Sequence, residues 1–123
     1  MTYEKLLKDG RIKEYTAQPI EIQQLLKVAN RDLTAASRNL EADPDWAYSM
    51  AYNAILQVSR ALMLHGGFRP RGGEQHATVV EFVRECLGTD HKDKVHLFDQ
   101  MRRKRHRVIY EVSGMISKTE AAQ

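Results

Sequence analysis

Apolar residues recur at intervals of three and four along most of the chain, and this spacing is typical of amphipathic helices. Four such segments are separated by breaks that contain glycine or proline. The clearest start is Asp43-Pro44-Asp45, where an aspartate N-cap precedes a proline and an acidic residue of the first turn. The pattern predicts helices over about residues 19–40, 44–65, 74–87 and 89–117.

The hydrophobic stripe of each predicted helix gives an expected inward face. In the first helix the stripe includes Leu26 and Leu33, and in the second it includes Ile55 and Val58 beside several alanines. Small residues on the second helix allow a neighbouring helix to approach closely.

Four helices with short connections predict an all-α fold, an up-and-down four-helix bundle. The last predicted helix is the longest, so part of it lacks a partner within the chain, and we expect a homodimer built on it. Residues 1–18 are expected to form a loosely attached N-terminal arm, residues 19–117 the bundle, and residues 118–123 a tail. There is no strand pattern, and the glycine-rich connector of residues 66–73 is expected to be irregular.

Composition is that of an ordinary globular protein, with 123 residues, 42% hydrophobic and 28% charged. No apolar run approaches ~20 residues, and the first residues lack the apolar stretch of a secretion signal. We therefore expect a cytoplasmic protein that does not bind membranes. The single Cys86 leaves no cysteine pair for a disulfide or a zinc site, and His91 and His96 face different sides of a helix. We expect no metal and no cofactor.

Positive charge is concentrated in the last predicted helix. Between His91 and Tyr110 there are seven lysines and arginines and two aspartates, a net +5, although the whole chain carries only +3. Many charge runs of this kind are solvated helix faces. The predicted inward stripe of this helix is Phe98, Met101, Val108, Val112 and Met115, and Ile109 is an outward apolar residue. Arg105, however, falls on this stripe between Met101 and Val108. A guanidinium there must be paired or must line a cleft, because burying an unpaired charge is costly.

Arg102, His106 and Tyr110 follow one another at four-residue spacing, next to Arg105 on the same side of the helix. Guanidinium groups bind phosphates in bidentate fashion, imidazole titrates near neutral pH, and a phenol donates to phosphate oxygens or stacks on bases. These residues predict a phosphodiester site. Further arginines expected to bind the ligand are Arg103, Arg107, Arg69 and Arg71.

Three polar residues outside the last helix have simpler expected roles. Tyr52 and Asn53 lie beside the apolar face of the second helix, and we expect them to make hydrogen bonds between helices. His76, at the start of the third helix, is expected to contact the preceding loop or to cap the helix.

Several short stretches resemble HEPN domains, which are small all-helical nucleotide-binding modules of higher eukaryotes and prokaryotes. They are Ala51-Tyr52-Asn53-Ala54-Ile55-Leu56 leading to Arg60-Ala61-Leu62, Gly67-Phe68-Arg69-Pro70 with His76 after it, and Arg102-Arg103-Lys104-Arg105 followed by Tyr110-Glu111. The resemblance covers about residues 20–117. It implies a dimer and, in many members, a metal-independent ribonuclease that acts as a toxin beside a nucleotidyltransferase-type antitoxin.

The catalytic signature of the family is an arginine followed, after about four to six intervening residues, by a histidine. By resemblance Arg105 matches the arginine and His106 the polar residue after it, but Tyr110 stands where the histidine is expected. A tyrosine with an ordinary pKa of about 10 transfers protons poorly at neutral pH.

We therefore expect a dimeric domain that binds RNA or nucleotide through a basic cleft on the last helix and is catalytically degenerate. Two alternatives remain open. One is a toxin-type endoribonuclease of a toxin–antitoxin pair, in which His106 or Tyr110 transfers the proton. The other is an interaction module that docks a nucleotidyltransferase-like antitoxin.

Overall fold

The computed structural model describes residues 3–110, with side chains described as far as Arg105. Most of these residues are helical, which confirms the all-α class and the long helix near the C-terminus. The helices are α1 (Tyr3–Lys8), α2 (Pro19–Asn39), α3 (Pro44–His65), α4 (Gln75–Leu87) and α5 (Lys92–Tyr110), with a 3-10 turn at Thr89–His91 before α5. The four predicted helices correspond to α2, α3, α4 and α5.

Two short strands correct the expectation of a chain without strands. β1 (Ile12–Glu14) pairs antiparallel with β2 (Phe68–Pro70), and we call this pair the ribbon. β2 lies inside the connector of residues 66–73, which was expected to be irregular. A strand of three residues carries too few side chains to produce an alternating pattern, so the pairing is set by tertiary contacts.

The N-terminal segment is packed against the bundle, and the expectation of a loosely attached arm was wrong. Leu6 in α1 is 6% exposed, and Ile12 in β1 is 1% exposed. Tyr3 stacks on Phe82 of α4 with ring centroids 4.4 Å apart, and Phe68 of β2 contacts both rings. Such aromatic pairs add ~0.5–1.5 kcal/mol each beyond their buried area. The helix α1 and the ribbon therefore cover one side of α4.

The faces of α2 and α3 differ from the prediction. Leu26, Leu33, Ile55 and Val58 were expected to face inward, but they are between 39% and 55% exposed and line an open groove between the two helices. The two helices pack through small buried residues such as Ala54, so their larger aliphatic side chains remain at the edge of the contact. Within residues 3–105 nothing covers this groove.

The main core lies between α3, α4 and α5, and it determines where the last helix presents its arginines. Tyr52 and Leu56 of α3 pack with Phe98 and Met101 of α5, and all four are buried. Phe98 and Met101 were both predicted to face inward, and the structure confirms this. Arg105 comes one turn after Met101, so it continues the inner side of α5.

The predicted start of α3 is confirmed in detail. The carboxylate of Asp43 accepts a hydrogen bond from the backbone N–H of Trp46 at 3.2 Å, and Pro44 occupies the first turn. The expected excess length of the last helix depends on residues 111–117, which lie outside the described residues. The dimer that this length suggests therefore stays a prediction.

Candidate functional site

The described arginines of α5 differ in whether an acid neutralises them. Asp99 lies one turn earlier on the same helix, and its Oδ1 is 2.9 Å from Nη2 of Arg102 and 3.0 Å from Nε of Arg102. The other carboxylate oxygen is 3.1 Å from Nη2 of Arg103. Both arginines were predicted to bind a ligand, and both are already paired with one carboxylate.

Arg105 has no acid partner among the described residues. Its guanidinium carbon lies 5.6 Å from the ring centre of Tyr52, which is a cation–π contact. Its Nε is buried and makes no hydrogen bond to a described group. A buried donor without an acceptor costs ~1–3 kcal/mol, and more when it is charged. Of the two roles expected for Arg105, internal pairing with an acid is not seen within residues 3–105, and the role in lining a cleft stays a prediction.

Tyr52 connects Arg105 to α4. Tyr52 is fully buried, and its ring centre lies 5.7 Å from that of Phe98. The hydroxyl of Tyr52 is 3.1 Å from Nδ1 of His76. Desolvation by burial raises the pKa of Tyr52 to about 12, although the positive charge of Arg105 acts in the opposite direction. The phenol therefore keeps its proton at neutral pH.

The protonated phenol determines which nitrogen of His76 carries a hydrogen. We assign the hydroxyl of Tyr52 as the donor to Nδ1, because this gives the buried phenol hydrogen an acceptor, and in this tautomer the neutral ring carries its hydrogen on Nε2. His76 is exposed, and its Nε2 makes no hydrogen bond to another described residue. The ring therefore offers an N–H donor to a ligand.

The charges around His76 are positive. Desolvation lowers the pKa of His76 below its usual value, and the charges of Arg105, Arg60 and Arg102 lower it further, in that order. The imidazole is therefore neutral at physiological pH. The positive potential that disfavours its protonation also attracts anions.

Two of the simpler expectations are confirmed. Tyr52 makes a hydrogen bond between helices, and Asn53 does so as well, since its Nδ2 donates to Oδ2 of Asp32 in α2. For His76 the sequence favoured a contact with the connector or a helix cap over a ligand contact, and its hydrogen bond to Tyr52 was not predicted. The available signal was its place at the start of a helix directly after the connector, but its partner lies 24 residues away in sequence and only the fold brings them together.

The structure does not join the arginines of the connector to those of α5. Arg69 lies in β2 with its guanidinium carbon 5.2 Å from the ring centre of Tyr15, and Arg71 follows the strand. Both are exposed, and no hydrogen bond or ion pair links either of them to α5 within residues 3–105. Their role in ligand binding stays a prediction.

Three predicted site residues fall where only the backbone is described. His106, Arg107 and Tyr110 belong to α5, and their side chains lie outside the described residues. Their roles stay predictions. In the part of the chain that is described, no three histidine, cysteine or acidic residues are grouped to hold a metal ion. No helix in that part is long and apolar enough to span a membrane.

Comparison with known families places the site in context. A family model described as the HEPN domain matches residues 22–123, which is most of the chain. Comparisons with curated proteins and with solved structures give no match. The matched region includes Tyr52, His76 and Arg105, and the mostly helical structure of its described part agrees with the all-α fold of the family. The chain therefore belongs to the HEPN domain family.

Proposed function

We propose that this HEPN domain binds a phosphate-bearing ligand, RNA or nucleotide, at a cleft whose central contact is Arg105. In this proposal the domain acts as a homodimer through α5, and it binds its ligand without cleaving it. The ligand class rests on the chemistry of the cleft and on membership of the family.

The observation that carries the proposal is the different pairing of neighbouring arginines. Asp99 forms ion pairs with Arg102 and Arg103, whereas the buried Nε of Arg105 has no acceptor among the described residues. A phosphate oxygen would supply that acceptor and a compensating charge. The Nε2–H of His76 offers a further donor nearby, because both side chains contact Tyr52.

The same geometry favours binding over proton transfer. Removal of a proton from a ribose hydroxyl requires a group that accepts protons near neutral pH. The Nδ1 of His76 already accepts the hydroxyl hydrogen of Tyr52, and its Nε2 carries a hydrogen. Tyr52, with its pKa raised to about 12, is also not a base at neutral pH.

Replacing Arg105 by methionine tests the proposal. Arg105→Met keeps an unbranched apolar stem but removes the charged donor. We expect RNA or nucleotide affinity to fall by ~1.5–3 kcal/mol, the range for charged hydrogen bonds. We expect the free energy of unfolding to be unchanged or raised, since an unsatisfied buried donor is removed. Equilibrium binding at low salt and urea unfolding measure the two quantities.

The matched control is Arg38→Met, which removes an exposed arginine of α2 and changes the net charge by the same amount. If both variants weaken binding equally, only net charge matters and the proposed cleft is wrong. Cleavage is tested with the same protein by incubating it with RNA in the presence of a chelator. Products that end in a cyclic phosphate would contradict a purely binding function and support the endoribonuclease alternative.

A further inference from the structure

The ribbon places basic side chains from both of its strands on one face. Lys13 lies directly opposite Arg69 in the antiparallel register. Two pairs further along, the backbone N–H of Arg71 donates to the carbonyl of Arg11 at 2.8 Å, so these two residues are also opposite each other. Since side chains on a strand alternate between faces, Lys13, Arg69 and Arg71 share a face, whereas the side chain of Arg11 reaches the buried Thr78 of α4.

Contacts of the neighbouring residues show which face this is. Ile12, between Arg11 and Lys13, is 1% exposed and points into the core, so the basic face is the outer one. Lys13 and Arg69 are both exposed. Tyr15 belongs to the same face, because the guanidinium of Arg69 lies over its ring.

This arrangement costs stability, and the described acids compensate little of it. Like charges directly opposite each other on two strands are destabilising. No ion pair involves Lys13, Arg69 or Arg71 among residues 3–105. Glu14 follows Lys13 in β1 and makes no ion pair to a described residue. Glu21 accepts hydrogen bonds from the hydroxyl of Tyr15 and the backbone N–H of Gln18, and these bonds together with the charge of Arg69 lower its pKa.

The ribbon is tied to the part of α4 that carries His76. The Nε of Arg11 donates to Oγ1 of Thr78 at 3.2 Å, and Thr78 lies two residues after His76. The side chain of Gln75 donates to the carbonyl of Gly72, just beyond the basic strand. These two hydrogen bonds hold the ribbon and its connector against the first turn of α4, the helix that carries His76.

We infer that the outer face of the ribbon is a second phosphate-contact surface, and that the ligand is a single-stranded RNA long enough to reach both it and the Arg105 cleft. The choice of RNA rests on the proposed function. Basic side chains that flank an aromatic ring are typical of surfaces that follow a single-stranded backbone. A mononucleotide, in contrast, occupies only the cleft.

The test compares long and short ligands on charge-matched variants. Lys13→Gln combined with Arg69→Gln removes two charges from the ribbon, and Lys27→Gln combined with Arg38→Gln removes two exposed charges from α2. The probes are a fluorescent oligouridylate of about twelve nucleotides and adenosine monophosphate. Binding is measured over a series of salt concentrations, and circular dichroism confirms that each variant is folded.

We expect the ribbon variant to bind the oligouridylate about tenfold more weakly than the α2 variant does. The slope of log affinity against log salt should fall by about 1.4, or 0.7 for each lost contact to a single strand. Binding of adenosine monophosphate should not change. Equal oligouridylate affinity and equal slope in the two variants would overturn the inference. It would also be overturned if the ribbon variant lost binding to anionic lipid vesicles but bound the oligouridylate as tightly as the α2 variant does.

Arg105→Met separates this inference from the proposed function. If Arg105→Met leaves both ligands bound while the ribbon variant loses the oligouridylate, the Arg105 cleft is wrong and the ribbon surface stands. If Arg105→Met loses both ligands while the ribbon variant loses neither, the cleft stands and the ribbon surface is wrong.

Discussion

Arg105 occupies a position at which α5 would otherwise bury an apolar side chain. Met101, one turn earlier, is 6% exposed, and the same side of the helix continues to Arg105. The charge is retained there at a cost, because its Nε lacks an acceptor among the described residues. The sequence was sufficient to identify this residue, since Arg105 interrupts the apolar spacing. Its contact with Tyr52 was not predictable, because 53 positions separate the two residues in the sequence.

His76 gives a prediction about pH at the residue scale. Its pKa is lowered in the folded protein, so between that value and the unfolded value of about 6.5 the unfolded chain binds more protons. The free energy of unfolding should therefore fall as the pH decreases below about 6.5. His76→Gln removes this titration but keeps a side-chain acceptor for Tyr52, so it should lose less stability over the same range.

Urea unfolding of both proteins at several pH values measures this difference. The other histidines and the carboxylates are common to both proteins, so their contributions cancel in the comparison. Two parallel curves of unfolding free energy against pH would show that His76 has the same pKa in the folded and unfolded states. That result would contradict the lowering of its pKa by burial and by the neighbouring arginines.

At the scale of elements, helix positions were more predictable than helix faces. The proline and glycine breaks located α2 to α5 closely, since these residues act locally on the backbone. In α3 the apolar pattern favoured Ile55 and Val58 as inward residues, yet the buried residues include Tyr52 and Leu56. This helix packs on α2 with its small residues and on α4 and α5 with its large ones, so one stripe could not describe both contacts.

The ribbon shows where sequence patterns fail for a physical reason. Its strands have three residues each and are joined across more than fifty positions of the chain. Neither strand has a periodic signal, and the buried Ile12 is a single apolar residue in a polar segment. Arg69 and Arg71 were predicted as ligand contacts from the glycine-rich connector alone. Their partners on β1 appear only when the strands pair.

Lys13 and Arg69 carry like charges opposite each other, so removing one charge should raise the stability of the fold and weaken RNA binding. Lys13→Glu places an acid opposite Arg69 and should raise the free energy of unfolding by ~0.2–1 kcal/mol, the range for cross-strand pairs. The same change should weaken binding of single-stranded RNA. Lys27→Glu on α2 is the control, because it alters net charge equally at an exposed helix position. A ribbon variant that is less stable than the control in urea unfolding would contradict this account of the pair.

The predicted homodimer of the whole molecule has two candidate interfaces, the last helix and the groove between α2 and α3, and point mutations distinguish them. The expected interface is the last helix, where Ile109 was predicted as an outward apolar residue. Ile109→Glu should shift the protein from dimer to monomer in analytical ultracentrifugation while the intramolecular core remains folded. Val58→Glu introduces the same charge at the groove between α2 and α3, where Val58 is 49% exposed.

Val58→Glu should leave the dimer intact if α5 forms the interface. Dissociation by Val58→Glu and not by Ile109→Glu would move the interface to the groove. A wild-type chain that sediments as a monomer at micromolar concentration would remove the dimer from the proposal.

The central claim, that Arg105 is the contact for a phosphate, is tested most directly by the Nε–H signals of the arginines in a proton–nitrogen NMR spectrum. The signal of Arg105 is identified as the one absent from the Arg105→Met variant. On titration with adenosine monophosphate we predict that this signal shifts and exchanges more slowly with water, because its buried N–H gains a charged acceptor. If the ligand binds and shifts other arginine signals while that of Arg105 stays unchanged, the cleft proposed here is not the binding site.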